Sequence, residues 1–298
     1  MYRVHIPASS GNMCVGFDST GLALQIYNSI DFEARKSGLV IEMDTPAPFI
    51  PTDGRNLIVR AARRAADRMG KRLPGLYLKQ YNRIPHTRGL GSSAACIVGG
   101  ILLADTLLGA GWSREQVLSL ASEMEGHPDN VAPAIYGGVC ISAKAEDGYL
   151  VRPVPVGEDL AVCVAIPGFT LSTRKAREVL PASVPMKDAV SNIANMGLLI
   201  ASLYERDYTH LGAALHDRLH EPYRKTLIQG FDDVIQAAYD LGAYGACLSG
   251  AGPTILIFLP AGKQDFERQL QEKLRSIPGG WKAVLTDFDR RGAFVETL

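Results

Sequence analysis

At 298 residues the chain fits one large domain or two of ordinary size, and it can bury a substantial core without covalent staples. Lysine plus arginine and aspartate plus glutamate both number 31, which argues against a nucleic-acid-binding or membrane-surface role carried by bulk charge. The five cysteines (Cys14, Cys96, Cys140, Cys163 and Cys247) are scattered and form no Cys-x-x-Cys pair. That pattern argues against a disulfide framework or a structural zinc site and for a reducing, cytoplasmic setting. The longest apolar run, residues 94–104, is too short to span a bilayer, and residues 1–7 carry no signal-peptide core.

Helix-like and strand-like segments are interleaved, so the class is α/β or α+β. Residues 2–6 alternate and stop at Pro7 as a short strand would. Residues 22–34 read as a long strand. Residues 56–70 predict a helix with Leu57, Ile58, Ala61, Ala62, Ala65 and Met69 inward and arginines outward, stopped by Gly70. Residues 76–84 suggest a strand with one wet face. Residues 92–108 form an apolar, helix-length segment opening directly after a glycine-rich loop. Ser113 with Gln116 reads as a capping box for a helix to Glu125. Residues 151–156, 160–166 and 254–259 look like strands, and 187–205, 232–241 and 264–274 look like helices. Pro153, Pro155 and Gly157 mark a linker, giving two halves, 1–157 and 158–298.

Three glycine-rich segments carry the chemistry. They are residues 7–18, opening Pro7-Ala8-Ser9-Ser10-Gly11-Asn12; residues 85–95, Pro85-His86-Thr87-Arg88-Gly89-Leu90-Gly91-Ser92-Ser93-Ala94-Ala95; and residues 245–254, ending Ser249-Gly250-Ala251-Gly252-Pro253-Thr254. In the second, two glycines allow close approach of the backbone, a helix begins at Ser92, and Arg88 adds a cation. Unpaired N–H groups at a helix start suit phosphate. The same residues also suit a tight turn with a helix cap. Gly89-x-Gly91-x-x-Ala94 formally matches a dinucleotide fingerprint, but the preceding segment is too polar for a buried parallel strand. No Gly-Lys-Ser/Thr run of a P-loop is present. The third segment reads equally as a nest of N–H groups or a turn. In the first, Asp18 suits an ammonium and Asn12 a hydroxyl, with capping as the plain alternative. His216 and His220 stand four apart but lack the glutamate of a zinc hydrolase.

Together, and in this order, the three segments resemble those of the GHMP small-molecule kinases, with 85–95 and 249–254 matching without gaps. Phe17-Asp18-Ser19-Thr20-Gly21, Glu125-Gly126-His127-Pro128-Asp129-Asn130 and Ser172-Thr173-Arg174-Lys175-Ala176-Arg177 look like the branch of that family that phosphorylates L-homoserine, in threonine biosynthesis. One departure is Cys14-Val15, where the family shows Gly-Pro. The resemblance implies an α+β, two-domain GHMP kinase fold: an N-terminal ribosomal-protein-S5-like α/β domain with a left-handed βαβ unit, and a C-terminal ferredoxin-like domain, with the site between them. It implies ATP, Mg²⁺ and L-homoserine as cofactors and substrate, no nucleic-acid or membrane partner, and a homodimer.

The same resemblance assigns roles. Arg177 and Arg224 would bind the substrate carboxylate, and Asp18 its ammonium. Asn12, His127 and Asn130 would line the pocket, and Thr173 would lie near the reacting hydroxyl. Pro85, Arg88, Gly89, Leu90, Gly91, Ser92, Ser93, Ala94 and Ala95 would hold the phosphates, and Asn56 the adenine side. Ser93 and Glu125 would take Mg²⁺. No general base is evident: Asn130 cannot act as one and Asp129 only adjoins it, so catalysis is expected to rest on positioning and charge neutralisation. A mevalonate, shikimate, threonine or sugar kinase, and a binding protein that has lost its chemistry, are the competing readings.

Overall fold

The computed structural model describes residues 1–146 and 148–298. The first strand, β1 (Tyr2–Ser10), does not stop at Pro7. It passes through with a register shift between Pro7 and Ala8, a bulge that accommodates a residue lacking an N–H. β1 pairs antiparallel with β2 (Thr20–Arg35), which is long enough to pair with two further strands. β3 (Leu39–Met43), α1 (Leu57–Arg68) and β4 (Gly75–Tyr81) make a strand–helix–strand unit in which β3 and β4 are parallel neighbours. β4 buries alternate residues, as its one wet face predicts, and runs antiparallel to β2.

α2 (Ser92–Leu108) follows the glycine-rich loop, and its bounds coincide with the apolar segment read from the sequence. α3 (Arg114–Glu125) carries the predicted capping box between Ser113 and Gln116. α4 (Val131–Tyr136), β5 (Val139–Ala145) and β6 (Gly148–Val154) complete the first half. β5 joins β2, and among the described residues β6 pairs with β5 alone, leaving β6 at an open edge.

β7 (Leu160–Ile166) opens a second, four-stranded antiparallel sheet. α5 (Thr173–Glu178), α6 (Met186–Glu205), α7 (Leu211–Ala214) and α8 (Glu221–Arg224) then lead to α9 (Phe231–Asp240), β8 (Gly245–Leu248), β9 (Ile255–Pro260), α10 (Phe266–Leu274) and β10 (Lys282–Thr286). The sheet order is β10-β7-β9-β8. The final strand, β11 (Phe294–Thr297), returns to the first sheet and pairs with β1.

The central strands β7 and β9 read as unbroken apolar runs because both faces are buried. Val162, Val164, Leu256 and Phe258 face a core shared with the first half, while Cys163, Ala165, Ile255 and Ile257 face the core under α9 and α10. The two halves therefore share one apolar interior, and the Phe258 and Phe288 rings stack across it at 6.3 Å.

α1 lies against α2 at Gly100, where a Cβ would run into the Ile58 carbonyl and the Ala61 side chain. Glycine within a helix normally costs about 1 kcal/mol relative to alanine. Here the sign should reverse: Gly100→Ala is expected to destabilise the fold by roughly 1–3 kcal/mol. Urea denaturation showing a more stable variant would mean that the two helices do not approach this closely.

Candidate active site

The three glycine-rich segments converge on one point. Ser249 Oγ donates to the Gly89 carbonyl at 2.7 Å and lies 2.9 Å from the Ser10 hydroxyl. The Gly250 N–H donates to the Gly11 carbonyl at 3.1 Å, and the Ser9 N–H to the Leu90 carbonyl at 3.3 Å. The approach is so close that Gly89 and Gly91, both at positive φ, leave no room for a Cβ: it would meet the Ser249 carbonyl or the Ser9 side chain. The third segment is thus a turn, closed by Gly252 N–H to the Ser249 carbonyl, whose work is to fasten the other two.

Beside this junction a cleft of about 380 Å³ opens between the halves. It is lined by every residue assigned a role above except Ala94 and Ala95. Those two are buried in the first turn of α2, so only their backbone is available to a ligand. Ser92 and Ser93 stand at the start of that helix, whose first N–H groups have no carbonyl within the helix. Arg88 differs from its expected part. Its guanidinium donates to the carbonyls of His86, Pro167 and Gly168 at 3.0–3.1 Å, and so clamps the loop to the second half instead of standing free as a phosphate cation. Asn56 caps α1 through Ile58 N–H and holds the Pro51 carbonyl, fixing the rim of the cleft.

The far end of the cleft is charged. Arg177 makes a two-pronged ion pair with Asp18, at 2.8 and 3.1 Å, and both side chains remain about a third or more exposed (41% and 34%). Arg224 is 1% exposed. It donates to the carbonyls of Ala176 and Gly250 and to His220 Nδ1, and stacks over Phe17 with its guanidinium carbon 5.3 Å from the ring centre. Burial, and then the neighbouring Arg177, lower its pKa to about 10. No carboxylate forms a salt bridge with it among the described residues. A buried cation in this state is strongly disposed to accept an anion.

Between the two ends, Asp129 is buried and its carboxylate is occupied. Oδ2 accepts the Asn12 N–H at 3.1 Å, and Oδ1 lies 2.5 Å from His127 Nδ1 and 3.4 Å from Asn130 Nδ2. Burial alone would lower the His127 pKa, but the Asp129 carboxylate more than offsets this and holds it raised. Asn130 also accepts from Ser9 at 3.1 Å. Asn12 turns its own side-chain oxygen to the Asp18 N–H at 2.9 Å, so its first duty is to shape the loop that presents Asp18. Thr173 stands at the start of α5, capped by Ser172.

Ser93 Oγ donates to Glu125 Oε2 at 2.8 Å. Burial raises the Glu125 pKa against the opposing Ser93 bond, so this carboxylate lacks enough compensating charge. Two hard oxygens at the start of α2, one of them an undercompensated carboxylate, fit Mg²⁺. Glu123 points elsewhere and pairs with Arg64 and Arg68 on the surface. The cluster Asp18, His127 and Asp129 is a poorer host, because its carboxylates already serve Arg177 and the Asn12 loop.

Sequence reasoning gave no part to several other lining residues: Phe49, Arg55, Gln80, His86 and Cys96. Phe49 is 69% exposed and meets the His86 ring edge-on at 5.2 Å. An aromatic residue within the proline-rich run 46–51 was the available signal. His216 and His220 do not share a helix, and His220 is buried and occupied by the Cys14 carbonyl and Arg224. The zinc-hydrolase reading has no footing there.

The Cys14 departure is absorbed locally. Asn12, Met13 and Cys14 all take positive φ, at 64°, 35° and 60°. A non-glycine residue in that region needs support from its surroundings. The Cys14 thiol donates to the Leu215 carbonyl at 2.6 Å, and its carbonyl accepts from His220 Nε2 at 2.6 Å. Glu221 lies behind, accepting the Leu248 N–H at 2.7 Å, and burial pushes its carboxyl up to about 7. A group that binds its proton more tightly folded than unfolded stabilises the fold at low pH, and that contribution is lost as pH rises from 4.5 toward about 7. Between about pH 5 and 8, the wild type should therefore lose a few kcal/mol of stability relative to Glu221→Gln. Equal pH slopes in urea titrations of the two proteins would refute this.

The chain is similar to known proteins over its whole length. Residues 56–138 match the model of the GHMP kinases N terminal domain, and residues 199–276 that of the GHMP kinases C terminal. A homoserine kinase of Caldicellulosiruptor bescii is 42% identical over 300 residues, covering 99% of this chain and 97% of the relative. The crystal structure of homoserine kinase from Cytophaga hutchinsonii superposes with a TM-score of 0.87 at 30% identity, covering 99% of this chain and 96% of that one. A putative homoserine kinase from Listeria monocytogenes gives 0.83 at 33% identity over the full length of both chains. A chain that carries the three fastened loops, the two-sheet fold and this likeness over its whole length belongs to the GHMP kinase family, in its homoserine kinase branch.

Proposed function

We propose that this protein transfers the γ-phosphoryl group of ATP to the side-chain hydroxyl of L-homoserine, giving O-phospho-L-homoserine and ADP, that Mg²⁺ assists at the phosphates, and that it works in the cytoplasm as a homodimer. The observation that carries the substrate reading is the charged end of the cleft. A zwitterion offers one ammonium and one carboxylate. The exposed Asp18–Arg177 pair is worth little by itself, so an amino acid can exchange it for two new pairs, ammonium to Asp18 and carboxylate to Arg177 and the buried Arg224. Mevalonate and sugars have no ammonium to satisfy Asp18. Five free cysteines, four of them buried, suit the reducing cytoplasm.

The chain's own groups supply positioning. The 88–95 loop and the start of α2 would cradle the phosphates, and the nearby His127, Asn130 and Thr173 would confine the hydroxyl. Ser93 and Glu125 would hold Mg²⁺, which neutralises charge on the transferring group when bound. Asp129 is held by the Asn12 N–H and by His127 and is not free to abstract a proton. It therefore serves to shape the pocket.

The test is ADP release with Mg-ATP and a panel of L-homoserine, L-threonine, L-serine, mevalonate, shikimate and galactose. Strong preference for L-homoserine is expected, and preference for another acceptor would overturn the substrate reading. Arg224→Ala should lower kcat/KM for L-homoserine by about 10²–10³-fold, as expected when a charged hydrogen-bond partner is lost. Asp129→Asn should retain turnover to within about 10²-fold. A loss of several orders of magnitude with the fold intact would make Asp129 the base after all.

A further inference from the structure

α6 has two unlike sides. Its inner side supports the substrate loop: Asn192 reaches the Val15 carbonyl at 3.4 Å and Asp217 at 2.7 Å, and Leu199 and Leu203 enter the shared core. Its outer side should be charged if it faced only water. Instead Val190, Ile193, Gly197, Leu198, Ala201 and Tyr204 are all exposed there, Ile193 at 74% and Tyr204 at 61%. At 100° per residue these positions span an arc of roughly 140° along four turns. Half of the large exposed apolar side chains among the described residues lie on this one helix.

We infer that the outer face of α6 is the surface on which a second copy of this chain docks, the two helices packing antiparallel across a two-fold axis near Ala194 and Gly197. The inference rests on the homodimer reading above and gives it a place. Three features argue for a second copy over an unrelated partner. The stripe interleaves small residues (Ala194, Gly197, Ala201) with larger ones (Val190, Ile193, Leu198, Tyr204), so antiparallel packing sets Val190 of one copy level with Ala201 of the other and lets the helices approach to the 8–10 Å of packed helices. Gly197 meets nothing that a Cβ would touch within its own chain, so its smallness serves no packing inside the protomer. The only charged residues exposed on the helix are Lys187 near one end and Glu205 at the other, on the same flank of the stripe. Antiparallel packing about that centre brings Lys187 against Glu205 of the second copy at both ends, whereas a parallel arrangement would set like charges at the same level.

The face also continues beyond α6. A helix of 20 residues is about 30 Å long, and alone it supplies less than the ~800 Å² per partner of a standard stable interface. β6 lies beside it as the open edge of the first sheet and adds Leu150, 61% exposed.

The experiment is sedimentation of the full-length protein over roughly the micromolar to hundred-micromolar range, with ADP release recorded in parallel. The second measurement reports the kinase reading independently of assembly. The wild type should sediment as a dimer, and Ile193→Glu should weaken the dimer at least ~100-fold, to a folded monomer by circular dichroism. Gly197→Cys, which the structure accommodates, should cross-link to its own copy with a short bismaleimide where the wild type does not. A wild-type monomer throughout that range would overturn the inference, including the case in which some other protein covers the face. So would a dimer that survives Ile193→Glu with Gly197→Cys uncross-linked.

Discussion

The site depends on one junction of three loops. At its centre Ser249, fully buried, joins the Gly89 carbonyl to the Ser10 hydroxyl, and so ties together segments that lie 160 and 239 residues away in sequence. With the Gly250 N–H on the Gly11 carbonyl and the Ser9 N–H on the Leu90 carbonyl, it makes one wall of the loop before α2, the loop bearing Asn12 and Asp18, and the turn before β9. A Cβ has no room at Gly89, where the Ser249 carbonyl stands, or at Gly91, where the Ser9 side chain stands. The glycines are therefore required twice over, by contact as well as by φ.

The electrostatics follow from where this wall sits. At the α2 end, N–H groups and the Ser93–Glu125 pair suit polyphosphate with a divalent cation. At the other end, two guanidinium groups share the face of Phe17, at 5.8 Å for Arg177 and 5.3 Å for Arg224. Arg224 is held by carbonyls and a neutral histidine, none of which cancels its charge. His220 is kept neutral by burial, and its two nitrogens tie Arg224 to the carbonyl of Cys14. The loop that carries Cys14 and Val15 is thus tied to the cation that the substrate reading most needs.

Support for that loop comes from several directions. Asp217, buried, accepts the N–H groups of Leu219, His220 and Glu221 and the amide of Asn192. Asn192 belongs to α6 and also reaches the Val15 carbonyl. The helix that presents an apolar stripe outward is therefore the same helix that supports the Asn12–Asp18 loop inward.

Sequence alone determined what depends on neighbours in the chain. The apolar periodicity of residues 57–68, the capping box at Ser113, the bounds of α2 and β7, and the three glycine-rich motifs are local features, and each appears where it was read. The tertiary structure decided what depends on distant partners. β1 continues past Pro7 because β2 pairs beyond the bulge, and β11 returns to the first sheet because β1 offers an edge. Arg88 reads as a phosphate cation until the carbonyls of Pro167 and Gly168, some eighty residues on, take up its donors. Asp18 and Arg177 are legible as opposite charges, but that they meet across 159 residues is not. A motif names the chemistry available to a residue, while only the folded chain shows which of its donors and acceptors are still free.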